Sequence, residues 1–513
     1  MLARLFNNEY YLYILAALTS LALSAWIASN ETIINPDAIC YLMSAEKLGE
    51  SSIRAIMDLC GQARWPFYSM LVYGLVKLSH LSYPTAAYLL DSFFSLLSVL
   101  AFLFIVKSIG GTKRVLWFAA ITILCAHHFN SIREYIVRDH GFWTFYLFSI
   151  FFLLRYLARP RFFYALLFNA SLILASLFRI EGFIFLLFMP QLIWLYKPFS
   201  FPVRFTSALA LNALSFIGLI GLFTWMIIHP SNSLEKLGRL FELKIQIQQG
   251  ASYVATHYHQ AKIALTQYIL NVDSAKHADL VLSLVLIAWF VSSIVINLSW
   301  TYSILFIYAI IKRAVPLKFA STLVLSGVIA INIVINFIFL LERFFLSKRY
   351  LVALTLILTL MVPFALDRLY QCSQKLTQRL VFLVAMLTVL VQGVGGTFDF
   401  GYSKAYVADA GQWISHHIPR EARLYTNDYQ LMYYSRHYQE DIFTKVREFI
   451  PDVPYLNKQI DQYDYFALRL RKKDNKATLI ELVEKQMGKP IRVFANTRGD
   501  SVKIYARNLE TKL

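Results

Sequence analysis

A polytopic α-helical membrane protein with a small soluble α/β domain at its C-terminal end is the fold class this sequence predicts. Three observations predict it. Of 513 residues, 58% are hydrophobic and only 16% are charged, below the roughly one quarter usual in soluble domains. With a mean hydropathy of +0.53, one aqueous core cannot hide these side chains, so most of them must face lipid. The apolar residues also come in long runs separated by short basic connections. Finally, from Phe398 onward the runs give way to short alternating segments and polar turns.

The first run, 11–29, is too long for a signal peptide and is read as a retained anchor. Further runs follow at 84–106, 114–130, 141–157, 162–178, 182–196, 205–228, 279–311, 319–341, 350–366 and 380–396. That makes about eleven transmembrane helices, a few of them short against the ~20 residues a bilayer requires. The run 279–311 is long for one untilted span and short for two; counted as one, it keeps every later connection on the side its charges demand. Those charges are Arg4, then Lys107, Lys113 and Arg114, then Arg155, Arg159 and Arg161, then Lys197 and Arg204. Lys312, Arg313 and Lys318 follow, and finally Arg368, Lys375 and Arg379, with Asp367 the one acidic intruder. Such connections stay cytosolic. The net charge of +18 is thereby placed at lipid phosphates. The bilayer is the expected partner, and no nucleic acid is, since no soluble basic module is visible.

Residues 1–397 are thus expected to form a transmembrane domain whose external loop, 30–83, carries interfacial helices. Residues 398–513 form an external soluble domain. There "AYVADAGQWISHHI" and "ATLIELVEKQM" read as helices, "ARLYTND" and "YDYFALRLR" as strands, and "IRVFAN" with "SVKIYAR" as a hairpin around Thr497–Asp500. There is no internal repeat and no Walker A or Rossmann glycine pattern, which leaves nucleotide-driven transport without support. Cys40 and Cys60 share the first external loop, where an oxidising compartment permits a disulfide; two unpaired thiols fit the sequence equally well.

On the external side the same parity collects residues able to do chemistry. In "NPDAICYLMSAEKL", Asp37 either caps a helix running from Ala38 or serves as a catalytic carboxylate, and the stretch alone leaves both readings open. "SIREYIVRDHGFW" sets Arg133, Glu134, Arg138, Asp139 and His140 before the fourth span, where Asp139 also fits as a helix-end charge. In "LFRIEGF", Arg179 and Glu181 sit between two apolar runs with almost no loop. Charges at that depth line polar cavities or pair with each other. Arg64 in "ARWPFYS", and Arg343, Lys348, Arg349 and Tyr350 in "LLERFFLSKRYLVAL", are either interfacial anchors or ligands. Together they form the inventory for transfer from a lipid phosphate. A carboxylate deprotonates the acceptor hydroxyl, and Arg and Lys stabilise charge on the departing phosphate.

The order and sidedness of these motifs resemble the GT-C superfamily of polyprenyl-phosphate-sugar-dependent glycosyltransferases. The branch in question is that of bacterial aminoarabinose transferases and protein O-mannosyltransferases. The motifs are Pro36-Asp37-Ala38-Ile39-Cys40-Tyr41, Arg64-Trp65-Pro66-Phe67-Tyr68, Arg138-Asp139 and Lys348-Arg349-Tyr350, and "ARLYTNDYQLMYYSR" resembles the external C-terminal domain of many bacterial members. The resemblance implies an inverting transfer with Asp37 as general base, and with Asp139 orienting the acceptor or supporting Asp37. Lipid phosphate and sugar contacts fall to Arg64, Tyr41, Tyr68, Arg138, Arg179, Glu181, Lys348, Arg349 and Tyr350. Here Arg64-Trp65-Pro66 replaces the usual Lys-Pro-Pro turn, and Ala63 replaces an acidic neighbour found in some members.

The implied donor is a polyprenyl-phosphate-linked sugar. The acceptor is a lipid A sugar, polysaccharide, glycolipid or protein, and the setting is the external face of a bacterial inner membrane with the C-terminal domain in the periplasm. The segment 229–279, with Tyr253, His257, Tyr258 and His259, is read as a solvated loop, the alternative being a segment that helps select the acceptor. Metal use varies across the superfamily, and no cluster at ligand spacing calls for a divalent ion or any other cofactor. The alternative reading is a transporter or flippase of lipid-linked sugars, which would favour internal repeats and midplane charges.

Overall fold

The computed structural model describes residues 9–228, 239–398, 401–437, 460–473 and 477–507. Arg4 and the first ten positions of the 229–279 segment lie outside these residues. The chain divides into two compact units. One comprises Met1–Ile27, Leu89–Glu134 and Arg138–Phe398, and the other Ala28–Tyr88, Tyr135–Val137 and Asp399–Leu513.

Among the described residues, eight helices are long and apolar enough to cross a membrane. They are Glu9–Asn30, Tyr83–Ser108, Asp139–Ala158, Phe201–Gly221, Ala275–Leu298, Phe319–Arg343, Lys348–Gln371 and Leu376–Thr397. Lys113–Leu124 and His127–Glu134, bent by 47°, make a ninth if read as one span. Phe162–Phe178, Gly182–Leu195 and Trp300–Ile311 are shorter apolar helices. The Lys348–Gln371 span is 94% buried over its most apolar window and Ala275–Leu298 only 11%. The first is therefore a central helix enclosed by protein, and the second turns its side chains outward, as a lipid-facing helix does.

The run 279–311 does not form one span. It breaks at Ser299, which adopts φ +73°, and its hydroxyl accepts from the Tyr302 N–H at 3.4 Å while donating to Gln392 Oε1 at 2.7 Å. A helix of 12 residues follows, about 18 Å long and too short to span alone. Continuous hydrophobicity hid this break, because a serine in an apolar run carries no periodicity signal. The segment 229–279 departs from the loop reading too, since Arg239–Tyr268 is a 30-residue helix. Apolar residues recur along it at helical spacing, as at Val254, Tyr258, Ala261 and Leu265, and tertiary contacts hold it. The Tyr258 hydroxyl lies 2.9 Å from that of Ser283, and Lys262 pairs with Asp279 at 2.5 Å.

In the second unit a four-stranded sheet has the order β1-β2-β4-β3, with β1 Leu424–Thr426, β2 Tyr465–Leu470, β3 Arg492–Ala495 and β4 Ser501–Ala506. β1 runs parallel to β2, and β4 is antiparallel to both β2 and β3. Alternation along β2 serves two cores. Ala467 faces Val407 and Ile414 of the helix Ala405–His417, whereas Phe466 and Leu468 pack with Leu479 and Val483 of the helix Ala477–Met487. The predicted hairpin turns through Gly499 at φ +97°.

The helix Pro36–Lys47 belongs to this unit. Residues Ala38 through Ala45 are all buried. It packs against both Phe67–Ser79 and Tyr429–Ser435. The Tyr434 hydroxyl accepts from the Ile34 N–H at 2.9 Å, and Arg436 lies 3.5 Å from Glu46.

Candidate active site

Asp139 opens the helix Asp139–Ala158, and Arg179 and Glu181 occupy the short link between Phe162–Phe178 and Gly182–Phe188. Two glycines allow the close approach of these elements. A Cβ at Gly141 would fall on the Phe178 ring, and one at Gly182 on the Ser176 backbone. Arg179 then uses all three guanidinium nitrogens. Nη1 pairs with Asp139 Oδ1, Nη2 with Glu181 Oε1, and Nε donates to Glu181 Oε2 at 3.1 Å. The plane lies over the Tyr350 ring at 4.6 Å and that of Phe142 at 5.8 Å.

Burial pushes the Glu181 carboxyl up, but the charge and hydrogen bonds of Arg179 outweigh it and hold it below the ordinary carboxylate value. Burial opposes the Arg179 cation as well, yet Asp139 and Glu181 raise its affinity for the proton still further. The triad is therefore fixed in its charged form. The Arg179–Glu181 pair that the sequence allowed exists, with Asp139 as its third member.

Arg179, Glu181 and Tyr350 line a cavity of about 140 Å³ that Arg349, Glu342 and the Asn332–Asn336 pair also border. Lys348 is the first residue of its helix and exposed. Its carbonyl accepts from Asn297 Nδ2 at 2.7 Å, and Asn297 Oδ1 accepts from Thr355 at 3.0 Å. Arg138 is 8% exposed, and its Nη1 has no hydrogen-bond partner among the described residues. A buried unsatisfied donor of this kind is costly unless something fills it. Glu342, Asn332 and Asn336 were not singled out from sequence. Their signal was an i, i+4 amide pair and a terminal carboxylate in an otherwise apolar span.

In the second unit, Asp37 sits on the first turn of Pro36–Lys47, but it does not cap it. The N-cap is Asn35, with Pro36 at the first helical position, as proline's fixed φ favours. The Asn35 side chain is engaged elsewhere, accepting from the Ile136 N–H at 2.9 Å and donating to its carbonyl at 3.4 Å. Asp37 is half-buried, and its Oδ1 accepts from Gln62 Nε2 at 3.2 Å. Tyr41 and Tyr68 are buried and meet edge to face at 5.1 Å, joining two helices of the unit. Arg64 is exposed. Cys40 and Cys60 form a disulfide with Cα atoms 6.1 Å apart. Asp37, Tyr41, Arg64 and Tyr68 thus lie in one unit, and Arg138, Asp139, Arg179, Glu181, Lys348, Arg349 and Tyr350 in the other. Among the described residues, no group of three or more His, Cys, Asp or Glu side chains is placed to hold a metal ion.

No protein-family model and no curated protein sequence matches the chain. Solved structures do. The Archaeoglobus fulgidus oligosaccharyltransferase, tethered to an acceptor peptide through a disulfide bond, superposes with a TM-score of 0.56 at 11% identity, over 98% of this chain and 74% of that one. ArnT from Cupriavidus metallidurans matches in its apo state with a TM-score of 0.51 at 14% identity, over 96% of this chain and 97% of that one. Its complex with undecaprenyl phosphate gives 0.51 at 14% identity, over 97% and 98%. The likeness covers nearly the whole chain, and this multi-pass membrane protein therefore has the GT-C fold that both transferases share.

Proposed function

We propose that the protein is an inverting glycosyltransferase that moves a sugar from a polyprenyl-phosphate donor to an envelope acceptor on the external face of a bacterial inner membrane. The observation that carries this reading is the buried Arg179 triad beside a cavity bordered by Arg349 and Tyr350. The triad, two carboxylates against one guanidinium, fixes the wall of that cavity, and Arg349 is the cation on its border that would meet the charge of a departing phosphate. The unpartnered Arg138 nitrogen adds a donor that a substrate oxygen would satisfy. The fold supports the same reading, since one of the structures it matches holds undecaprenyl phosphate and another an acceptor peptide.

In this reading Asp37 takes the proton of the acceptor hydroxyl as its oxygen attacks the anomeric carbon. The bond from that carbon to the phosphate oxygen breaks, and the polyprenyl phosphate leaves; meeting its charge is the task that the sequence resemblance gives to Arg349, Lys348 and Arg64. Arg179 and Glu181 hold Asp139 and Tyr350 in place, and Tyr41 and Tyr68 seat the helix that carries Asp37. The periplasm is the compartment assigned to the sheet-bearing unit.

Mass spectrometry of envelope glycolipids and glycoproteins, with and without the gene, tests the proposal. Loss of one defined sugar from one class of acceptor, with the lipid-linked donor accumulating, is the expected result. An unchanged glycan profile with donor redistributed between leaflets would instead make the protein a carrier of that donor.

A further inference from the structure

Asp37 accepts a hydrogen bond from a residue 25 positions away in a segment with little structure of its own. That segment contains one helix, Ile53–Met57, of five residues, far below the length at which a helix is stable alone. Two features nevertheless fix the position of Gln62. The Cys40–Cys60 disulfide ties the segment to the helix of Asp37, with Cys40 about one turn beyond Asp37 and Cys60 two residues before Gln62. Tight turns then carry the chain onward, since the Ala63 N–H donates to the Cys60 carbonyl at 3.0 Å and the Trp65 N–H to that of Gln62 at 3.2 Å. Ala63, 1% exposed, packs with Ile56 against Cys40, so the turn is seated on the disulfide itself.

The geometry points to Gln62 as a positioning residue for Asp37, held in register by the Cys40–Cys60 disulfide. This rests on the reading of Asp37 as general base. A glutamine suits the task. Its amide donates one bond that sets the plane of the carboxylate, without the full positive charge by which an Arg or Lys would compete with the acceptor's proton. The disulfide contributes by removing the freedom of the intervening loop, which has a sequence separation of 20. A misplaced catalytic group is costly even when the displacement is small.

A double-mutant cycle on the purified full-length protein tests this, read by single-turnover transfer from the lipid-linked donor. Gln62→Ala is expected to lower the transfer rate about tenfold to a hundredfold, the range for a hydrogen bond to a charged group, while the donor KM stays near that of the wild type. In an Asp37→Asn background the same substitution should have no further effect, because the group it positions is gone. The pair Cys40→Ser and Cys60→Ser should reproduce the rate loss and add little to Gln62→Ala. Wild-type turnover in Gln62→Ala overturns the inference, and so does a loss that is undiminished in the Asp37→Asn background, which would mark a structural role. If the cysteine variant does not fold, Gln62→Ala decides alone, since its side chain is half-buried and outside the clustered cores. Turnover that survives in Asp37→Asn itself would defeat the base assignment instead, so the two failures are separable.

Discussion

The two units hold their candidate catalytic groups by different physics. In the helical unit, the buried Asp139 and Arg179 and the half-buried Glu181 fix one another's charge. In the sheet-bearing unit, Asp37 is half-buried and is held by a neutral amide on a cross-linked loop. Buried ions specify geometry because leaving any one of them unpaired is expensive. A group that must meet incoming substrate cannot be enclosed in that way, so its position needs a covalent or hydrogen-bonded constraint from outside. On the proposed function, the helical unit supplies preset charge and the other a group that exchanges a proton.

Breaking the triad should have the largest effect. Arg179→Ala leaves the buried Asp139 carboxylate, and the half-buried Glu181 beside it, without their cation and should cost about 3–5 kcal/mol, read as a large fall in detergent-solubilised melting temperature together with loss of transfer. Gly182→Ala attacks the same site through packing, since its Cβ would meet the Ser176 backbone. A loss of about 1–3 kcal/mol is expected, and unchanged stability would show that the link carrying Arg179 can shift. Tyr350→Leu removes the ring under the guanidinium and should cost about 0.5–2 kcal/mol, while Tyr350→Phe keeps most of that contact.

The smallest effect belongs to the other unit. Burial raises the Glu46 carboxyl above its ordinary value despite the opposing attraction of Arg436. The native state therefore binds more protons there than the unfolded state, and stability falls as pH rises from the unfolded value through the raised one. Glu46→Gln should remove that dependence and leave the protein slightly more stable at neutral pH, by less than about 1 kcal/mol. Greater stability of the wild type at neutral pH would reverse the sign.

Much of this architecture was legible in the sequence, because hydropathy and basic connections report lipid contact directly. The break at Ser299 was not, since it lies inside an unbroken apolar run. The Arg179–Glu181 pair was visible because two charges stood where a loop should be. Asp139 as its third member was not, being 40 residues away. Asp37 stood out as a carboxylate behind a proline, yet the cap it suggested is Asn35. Gln62 gave no signal, because a neutral amide in a loop belongs to no pattern. The cysteine spacing allowed a disulfide without requiring it. What sequence lacked was the pairing of distant residues, which only packing supplies.

The central claim is that Asp37 is the base, and one measurement tests it most directly. Purified wild-type and Asp37→Asn protein are compared for single-turnover transfer and for binding of the polyprenyl-phosphate donor. The account predicts a rate about a hundredfold to ten-thousandfold lower, with donor binding and melting temperature held near the wild type. Transfer at close to the wild-type rate would contradict it.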